Sequence, residues 1–125
     1  GIAFSIRDLL QAARGLGLSF SVARLLGGGA RSATWRQIIA DVTGLSVERP
    51  ANGDASFGAA LVAGVGVGVY SDPRAAIARC VTVIDRCDPN PRHAALYDDL
   101  FAVYKDAQAA LAPLNHRLHA IVDRG

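Results

Sequence analysis

Three consecutive glycines at residues 27–29 constrain the fold more than any other stretch of this sequence. Residues 22–26 precede them as a short apolar run with β-branched content, which is typical of a buried strand. After them, Ser32 stands where it can cap a helix, and Gly44 is typical of the end of that helix. The residues that recur on one face of the predicted helix are Trp35, Ile38, Ile39 and Val42. With a second short strand predicted at residues 45–48, the unit is strand, glycine turn, helix, strand.

A glycine turn ahead of a helix presents backbone N–H groups and the positive end of the helix dipole without side chains in the way. Such a site suits a phosphate, or the ribose and base of a nucleotide. The alternative is a turn that only lets the chain reverse direction. A P-loop is excluded, because Ala30, Arg31 and Ser32 stand where Lys and Ser or Thr are needed. The dinucleotide fingerprint lacks its third glycine, although Glu48 lies about twenty residues on, as a ribose-binding acid would.

Residues 25–50 (LLGGGARSATWRQIIADVTGLSVERP) and 55–72 (ASFGAALVAGVGVGVYSD) resemble the C-terminal domain of the FGGY carbohydrate kinases. The matching family text is GGGARS, then WRQI and ADV, then LGAA, where this chain has Phe57-Gly58-Ala59-Ala60. Residues 1–10 and 97–118 are also similar to family helices. The resemblance implies an α/β fold that is part of an actin/hexokinase-like (ribonuclease H-like) ATPase domain, helix-rich with a few short strands.

The resemblance also implies transfer of the γ-phosphate of ATP, with Mg²⁺, to a hydroxyl of a sugar or polyol. Within the family the sequence is most similar to the xylulose kinases, which makes D-xylulose the expected acceptor. By position, Gly28, Gly29 and Ala30 match the loop that lies against the nucleotide. Ala33 matches a position where related glycerol kinases place an Asn near the adenine, and an alanine cannot supply that hydrogen bond.

The family's phosphate-gripping motif and catalytic aspartate have no counterpart in this stretch, so we predict no catalytic residue and no metal ligand here. By itself the stretch is expected to be inactive. Two alternatives stay open at this point: a Rossmann-type dinucleotide-binding unit, which depends on Glu48, and a non-catalytic helical interaction module. Arg31 and Arg36 flank the glycines and are candidates either for phosphate contact or for a structural role.

Length and composition suit one packed domain, with 51% hydrophobic and 19% charged residues. We expect residues 1–125 to be the C-terminal portion of an FGGY nucleotide-binding domain that is incomplete on its N-terminal side, because the sequence has no Met and its first helix starts without a cap. A dispersed net charge of +2 does not suggest nucleic acid. Cys80 and Cys87 form no CxxC pair, and no secretory signal is visible, so the expected location is the cytoplasm.

The rest of the chain is predicted to be mainly helical. Residues 57–70 carry no charge and are too short for a membrane span, so we predict a helix that is buried on most sides. Asp72-Pro73 and Asn90-Pro91 are typical helix starts, and Pro113 is expected to break or kink the last helix. The apolar face predicted for that last helix comprises Leu96, Leu100, Val103, Ala107 and Leu111.

A short sheet with open edges and an uncharged helix favour pairing with another chain. The isolated chain is therefore expected to self-associate, and a homodimer is a possible form.

Overall fold

A computed structural model describes residues 1–122 of the chain. Within these residues the helices are α1 (Ile2–Gly15), α2 (Ala33–Thr43), α3 (Ala55–Gly66), α4 (Pro73–Cys80) and α5 (Ala94–Val122). The strands are β1 (Val22–Arg24), β2 (Ser46–Pro50) and β3 (Val83–Cys87). Short 3₁₀ turns occupy Gly28–Arg31, directly before α2, and Pro91–His93, directly before α5.

The three strands form one sheet in the order β1-β2-β3. β1 pairs parallel to β2, with Ala23 opposite Val47, and α2 is the crossover between them. β3 pairs antiparallel to β2, with Arg49 opposite Asp85. The predicted unit of strand, turn, helix and strand is confirmed, except that β1 ends at Arg24.

α2 begins and ends where its sequence predicts. The backbone N–H of Trp35 donates to the Ser32 hydroxyl at 3.2 Å, which satisfies one of the free donors in the first turn. Gly44 follows the helix with a φ of 70°, a left-handed conformation that favours glycine. The core lies between this helix, α1 and the sheet; its buried members are Ala3, Ile39, Ala40, Val42 and Val47.

The prediction that residues 57–70 are buried on most sides is wrong for the part of the chain that the structure describes. No residue of α3 is buried, and Val62 is 71% exposed. A helix with apolar side chains all round needs neighbours on several sides, whereas α3 packs mainly on α4. At Gly64 the neighbour is the ring of Tyr70, which a Cβ there would meet at 2.7 Å. None of the helices within residues 1–122 has both the length and the apolar content to cross a membrane.

The apolar face predicted for α5 is also wrong. Leu96, Leu100, Val103 and Leu111 are exposed, and the helix instead packs through aromatic rings against Phe4 of α1. The ring centroids lie 5.6–6.3 Å from that of Phe4; the rings belong to Tyr97, Phe101 and Tyr104. Aromatic rings bury large apolar areas, which favours this face over the aliphatic one. Pro113 does not break the helix, which runs unbroken from Ala94 to Val122.

One buried carboxylate joins α2 to the start of α5. Asp41 accepts hydrogen bonds from Nε2 of Gln37 at 2.7 Å, the N–H of Asn90 at 2.8 Å and Nδ1 of His93 at 2.7 Å. Burial by itself would raise the pKa of Asp41, but the hydrogen bonds from Asn90, His93 and Gln37 outweigh it and lower the pKa below its usual 3.8. No local pattern predicts this cluster, because Asp41 lies about fifty residues from Asn90 and His93.

We expect Asp41→Asn to lower the free energy of unfolding at pH 7 by about 1–3 kcal/mol, because it weakens charge-assisted hydrogen bonds to a buried group. Since the pKa is lower in the folded chain, the contribution of Asp41 is fully present well above the usual value of 3.8 and is lost as the pH falls through the folded pKa. The variant should therefore lose less stability than the wild type between pH 5 and pH 3, as measured by urea unfolding. Asp99→Asn is the matched control, because within residues 1–122 Asp99 makes no hydrogen bond or ion pair. Equal stability of the two variants at pH 7 would contradict the role of Asp41.

Candidate functional site

A cleft of about 320 Å³ lies beyond the carboxyl ends of β1 and β2. Because these strands are parallel, the segments that follow them start at the same edge of the sheet, which is where ligands bind in open α/β folds. The N–H of Gly27 donates to the carbonyl of Gly53 at 3.0 Å and joins the two segments at one point. One wall of the cleft is lined by Leu25, Leu26, Gly27, Gly28, Ala30 and Arg31, and the other by residues 49–54.

The glycine turn reverses the chain at Gly27. Its φ of 78° lies in the left-handed region, so the turn itself requires glycine at this position. The next residues form a 3₁₀ turn in which the N–H of Ala30 donates to the carbonyl of Gly27 at 3.2 Å. Within residues 1–122, the N–H groups of Gly28 and Gly29 donate no hydrogen bond. Of these two donors, the one of Gly28 belongs to a residue that lines the cleft.

The other two glycines of the turn have different surroundings. A Cβ built at Gly29 would lie 3.3 Å from Cδ1 of Trp35, so the Trp35 ring restricts the size of a side chain at this position. A Cβ at Gly28 would meet nothing within 4 Å, and neither residue has a positive φ. Gly28 therefore offers its backbone to the cleft without obstruction.

The four site residues named from the sequence do not all meet at the cleft. Gly28 and Ala30 line it, whereas Gly29 and Ala33 do not. Ala33 is exposed at the first position of α2. Contact of any of the four with a nucleotide stays a prediction.

Of the two arginines that flank the glycines, Arg36 has a structural role. It is 5% exposed, and its Nη1 donates to the carbonyl of Ala30 at 2.5 Å. Its Nη2 forms an ion pair with Asp85 of β3. Arg31 is exposed and lines the cleft, and within residues 1–122 it has no hydrogen-bond or ion-pair partner.

The cleft carries two more charged groups, Arg49 and Asp54. The carboxylate of Asp54 caps α3 by accepting from the Phe57 N–H at 2.8 Å, and it also accepts from the Ser56 hydroxyl at 2.6 Å. The bonds from Ser56 and Phe57 lower the pKa of Asp54, so it is ionised at neutral pH. With Arg31 and Arg49 against the single carboxylate of Asp54, the cleft is lined by one more cationic than anionic side chain.

Sequence reasoning missed the second wall, which includes Arg49, Asn52 and Gly53. A signal for it existed: two strands joined by a single helix are expected to be parallel, so the segment after the second strand lies beside the glycine turn.

Glu48, on which the dinucleotide alternative depended, does not line the cleft. Its carboxylate accepts from Nε of Arg24 at 3.1 Å and from Nη1 of Arg86 at 3.4 Å. A ribose hydroxyl would have to compete with both arginines. Across the described residues, no three side chains of His, Cys, Asp and Glu gather as ligands for a metal ion.

Comparison with known proteins identifies relatives of this stretch. Residues 1–67 match the family model for the C-terminal domain of the FGGY family of carbohydrate kinases. An autoinducer-2 kinase of Enterobacter sp. (strain 638) is 40% identical over 104 residues, which cover 79% of this chain and 20% of the relative. A second one, of Klebsiella pneumoniae, is 35% identical over 103 residues, covering 82% and 19%. The chain thus spans about a fifth of the length of these relatives.

Solved structures of similar fold are also carbohydrate kinases. A xylulose kinase from Rhodospirillum rubrum has a TM-score of 0.73 at 30% identity, covering 92% of this chain and 24% of that chain. A gluconate kinase from Lactobacillus acidophilus has a TM-score of 0.75 at 26% identity, covering 90% and 23%. These neighbours have the actin/hexokinase-like fold, so the fold class expected from the sequence is confirmed.

We expect Arg36→Gln to lower the free energy of unfolding by about 2–3 kcal/mol, because it leaves the Ala30 carbonyl and Asp85 without their partner. This lies below the full cost of breaking a buried pair because Asp85 is 42% exposed. Arg86→Gln is the control, since Arg86 also forms ion pairs but is half exposed, and such pairs contribute about 0–1 kcal/mol. Urea unfolding of both variants measures the difference, and equal losses would show that Arg36 is not the stronger anchor.

Proposed function

This chain belongs to the FGGY family of carbohydrate kinases, within their C-terminal domain, and we propose that its cleft holds the nucleotide of such a kinase. The observation that carries the proposal is made at Gly28 of the glycine turn. This residue lines the cleft, its N–H donates no hydrogen bond within the described residues, and it has no side chain to obstruct a ligand. We extend the proposal to residues 1–125 as one portion of the nucleotide-binding domain, although the family model covers residues 1–67.

The proposed reaction is transfer of the γ-phosphate of ATP to a hydroxyl of a sugar or polyol. ATP would supply the phosphoryl group and Mg²⁺ would neutralise part of its charge. Phosphoryl transfer depends mainly on positioning and on electrostatic stabilisation. The residues of this chain fit the positioning role: the N–H group of Gly28 lies at the cleft and donates no hydrogen bond within the described residues, and Arg31 brings a positive charge to the same wall. We place the catalytic base and most of the Mg²⁺ ligands outside this stretch.

We propose D-xylulose as the acceptor. The support is the fold similarity to the xylulose kinase from Rhodospirillum rubrum, at 30% identity. The autoinducer-2 kinases and the gluconate kinase named above are similar to the same stretch, so the acceptor is a matter for direct assay of these three substrate types.

The chain is expected to bind ATP–Mg²⁺ and not NAD, because the cleft offers donors and arginines suited to phosphate while Glu48 is held by two other arginines. Isothermal titration calorimetry with each cofactor measures this directly. Binding of NAD without ATP would overturn the proposal in favour of a dinucleotide-binding unit.

We expect Gly28→Ala to weaken ATP binding by roughly tenfold or more without lowering the melting temperature. The added methyl group has room in the protein but would displace a phosphate from the backbone, and a lost hydrogen bond to a charged group costs about 1.5–3 kcal/mol. Gly29→Ala should instead leave ATP affinity unchanged, since Gly29 does not line the cleft and its methyl group would contact Trp35.

Gly15→Ala is the matched control for this pair, because Gly15 lies at the end of α1 with nothing within 4 Å of an added Cβ. Unchanged ATP affinity in Gly28→Ala would remove Gly28 from the site.

A further inference from the structure

Arg49 is a half-buried cation at the cleft that forms no ion pair within the described residues. Its Nε is buried and makes no hydrogen bond there. Buried polar groups are almost always hydrogen-bonded, and a charge that is taken out of water needs a partner. An unpaired guanidinium that lines a cleft therefore points to a ligand.

The neighbouring acids are already engaged. Asp85 lies directly opposite Arg49 in the sheet, but its carboxylate is bound by Arg36. Asp54 lines the same cleft, and its carboxylate caps α3. Arg36 and Arg49 thus both lie next to Asp85, which pairs with Arg36. The cleft as a whole is lined by two arginines, Arg31 and Arg49, against one carboxylate, that of Asp54.

We propose that Arg49, together with Arg31 from the opposite wall, binds a phosphate group in this cleft. The proposal rests on the proposed function, in which the cleft holds a nucleotide, and it names the residues that would receive the polyphosphate. Residue 49 was not among the positions that the sequence pattern singled out.

Phosphate fits this arrangement through charge and geometry. A guanidinium is a planar group that can donate two parallel hydrogen bonds to phosphate oxygens. The two arginines stand on different walls, and the free N–H of Gly28 adds an uncharged donor. Donors on several sides match a group whose oxygens point in several directions, and the volume of about 320 Å³ is in the range of small-molecule sites.

The test uses the full 125-residue chain with two separate probes, inorganic tripolyphosphate and adenosine. We expect Arg49→Gln to weaken tripolyphosphate binding by about tenfold or more and to leave adenosine binding unchanged. Arg49→Lys keeps the positive charge but lacks the planar guanidinium, so its affinity for tripolyphosphate should fall less than that of Arg49→Gln. Arg24→Gln is the matched control, since Arg24 is on the adjacent strand, pairs with Glu48 and does not line the cleft. Its affinity for tripolyphosphate should equal that of the wild type.

A measurement on the wild-type chain tests the same proposal without depending on whether the variants fold. In a ¹H–¹⁵N spectrum, the Nε–Hε resonance of Arg49 should shift on addition of tripolyphosphate and stay in place on addition of adenosine. No shift, or an Arg49→Gln variant that binds tripolyphosphate like the wild type, would overturn the proposal.

The two probes separate this proposal from the proposed function. Binding of adenosine without tripolyphosphate would overturn the phosphate site and leave the nucleotide site standing. Binding of tripolyphosphate without adenosine would support the phosphate site and count against a nucleotide. Binding of neither would overturn both.

Discussion

The contact between Arg36 and the carbonyl of Ala30 fixes the glycine turn relative to the rest of the molecule. The same guanidinium reaches Asp85, so one side chain of α2 connects the turn before that helix with the far strand of the sheet. The N–H of Gly27 also holds the turn by donating to the carbonyl of Gly53, whereas the bonds from Ala30 to Gly27 and from Ser32 to Gly29 only close the 3₁₀ geometry. The buried guanidinium of Arg36 thus holds the Ala30 carbonyl, which lines the cleft, and the carboxylate of Asp85 at the same time. Such an arrangement is costly to break, since each group left behind would lose its partner.

Local structure was largely predictable from the sequence, because the signals for it are local. Ser32 and Gly44 bound α2, and Asp72 followed by Pro73 starts α4, each through chemistry that involves residues within one helical turn. The family resemblance supplied the fold class. It could do so because the glycine turn and the helix after it form one continuous segment whose residues carry the pattern together.

The sequence did not predict which face of α5 packs against α1 or which distant residues form ion pairs. α5 carries two apolar stripes with helical spacing, one aliphatic and one aromatic, and only the position of Phe4 decides which of them packs. Arg36 and Asp85 are 49 residues apart, and no pattern in either segment indicates that they meet. The second wall of the cleft had a signal in the parallel pairing of β1 and β2, but its charged residue, Arg49, resembles any strand arginine until its missing partner is seen.

The hydrogen bond between Gly27 and Gly53 has a mechanical consequence. Gly53 is followed at once by Asp54, the residue that caps α3, so the contact lies next to the start of an exposed apolar helix. Separating the two walls at this point would break that bond or displace Gly53, the residue before the cap of α3. The two walls of the cleft and the start of α3 are therefore joined through two consecutive residues, Gly53 and Asp54.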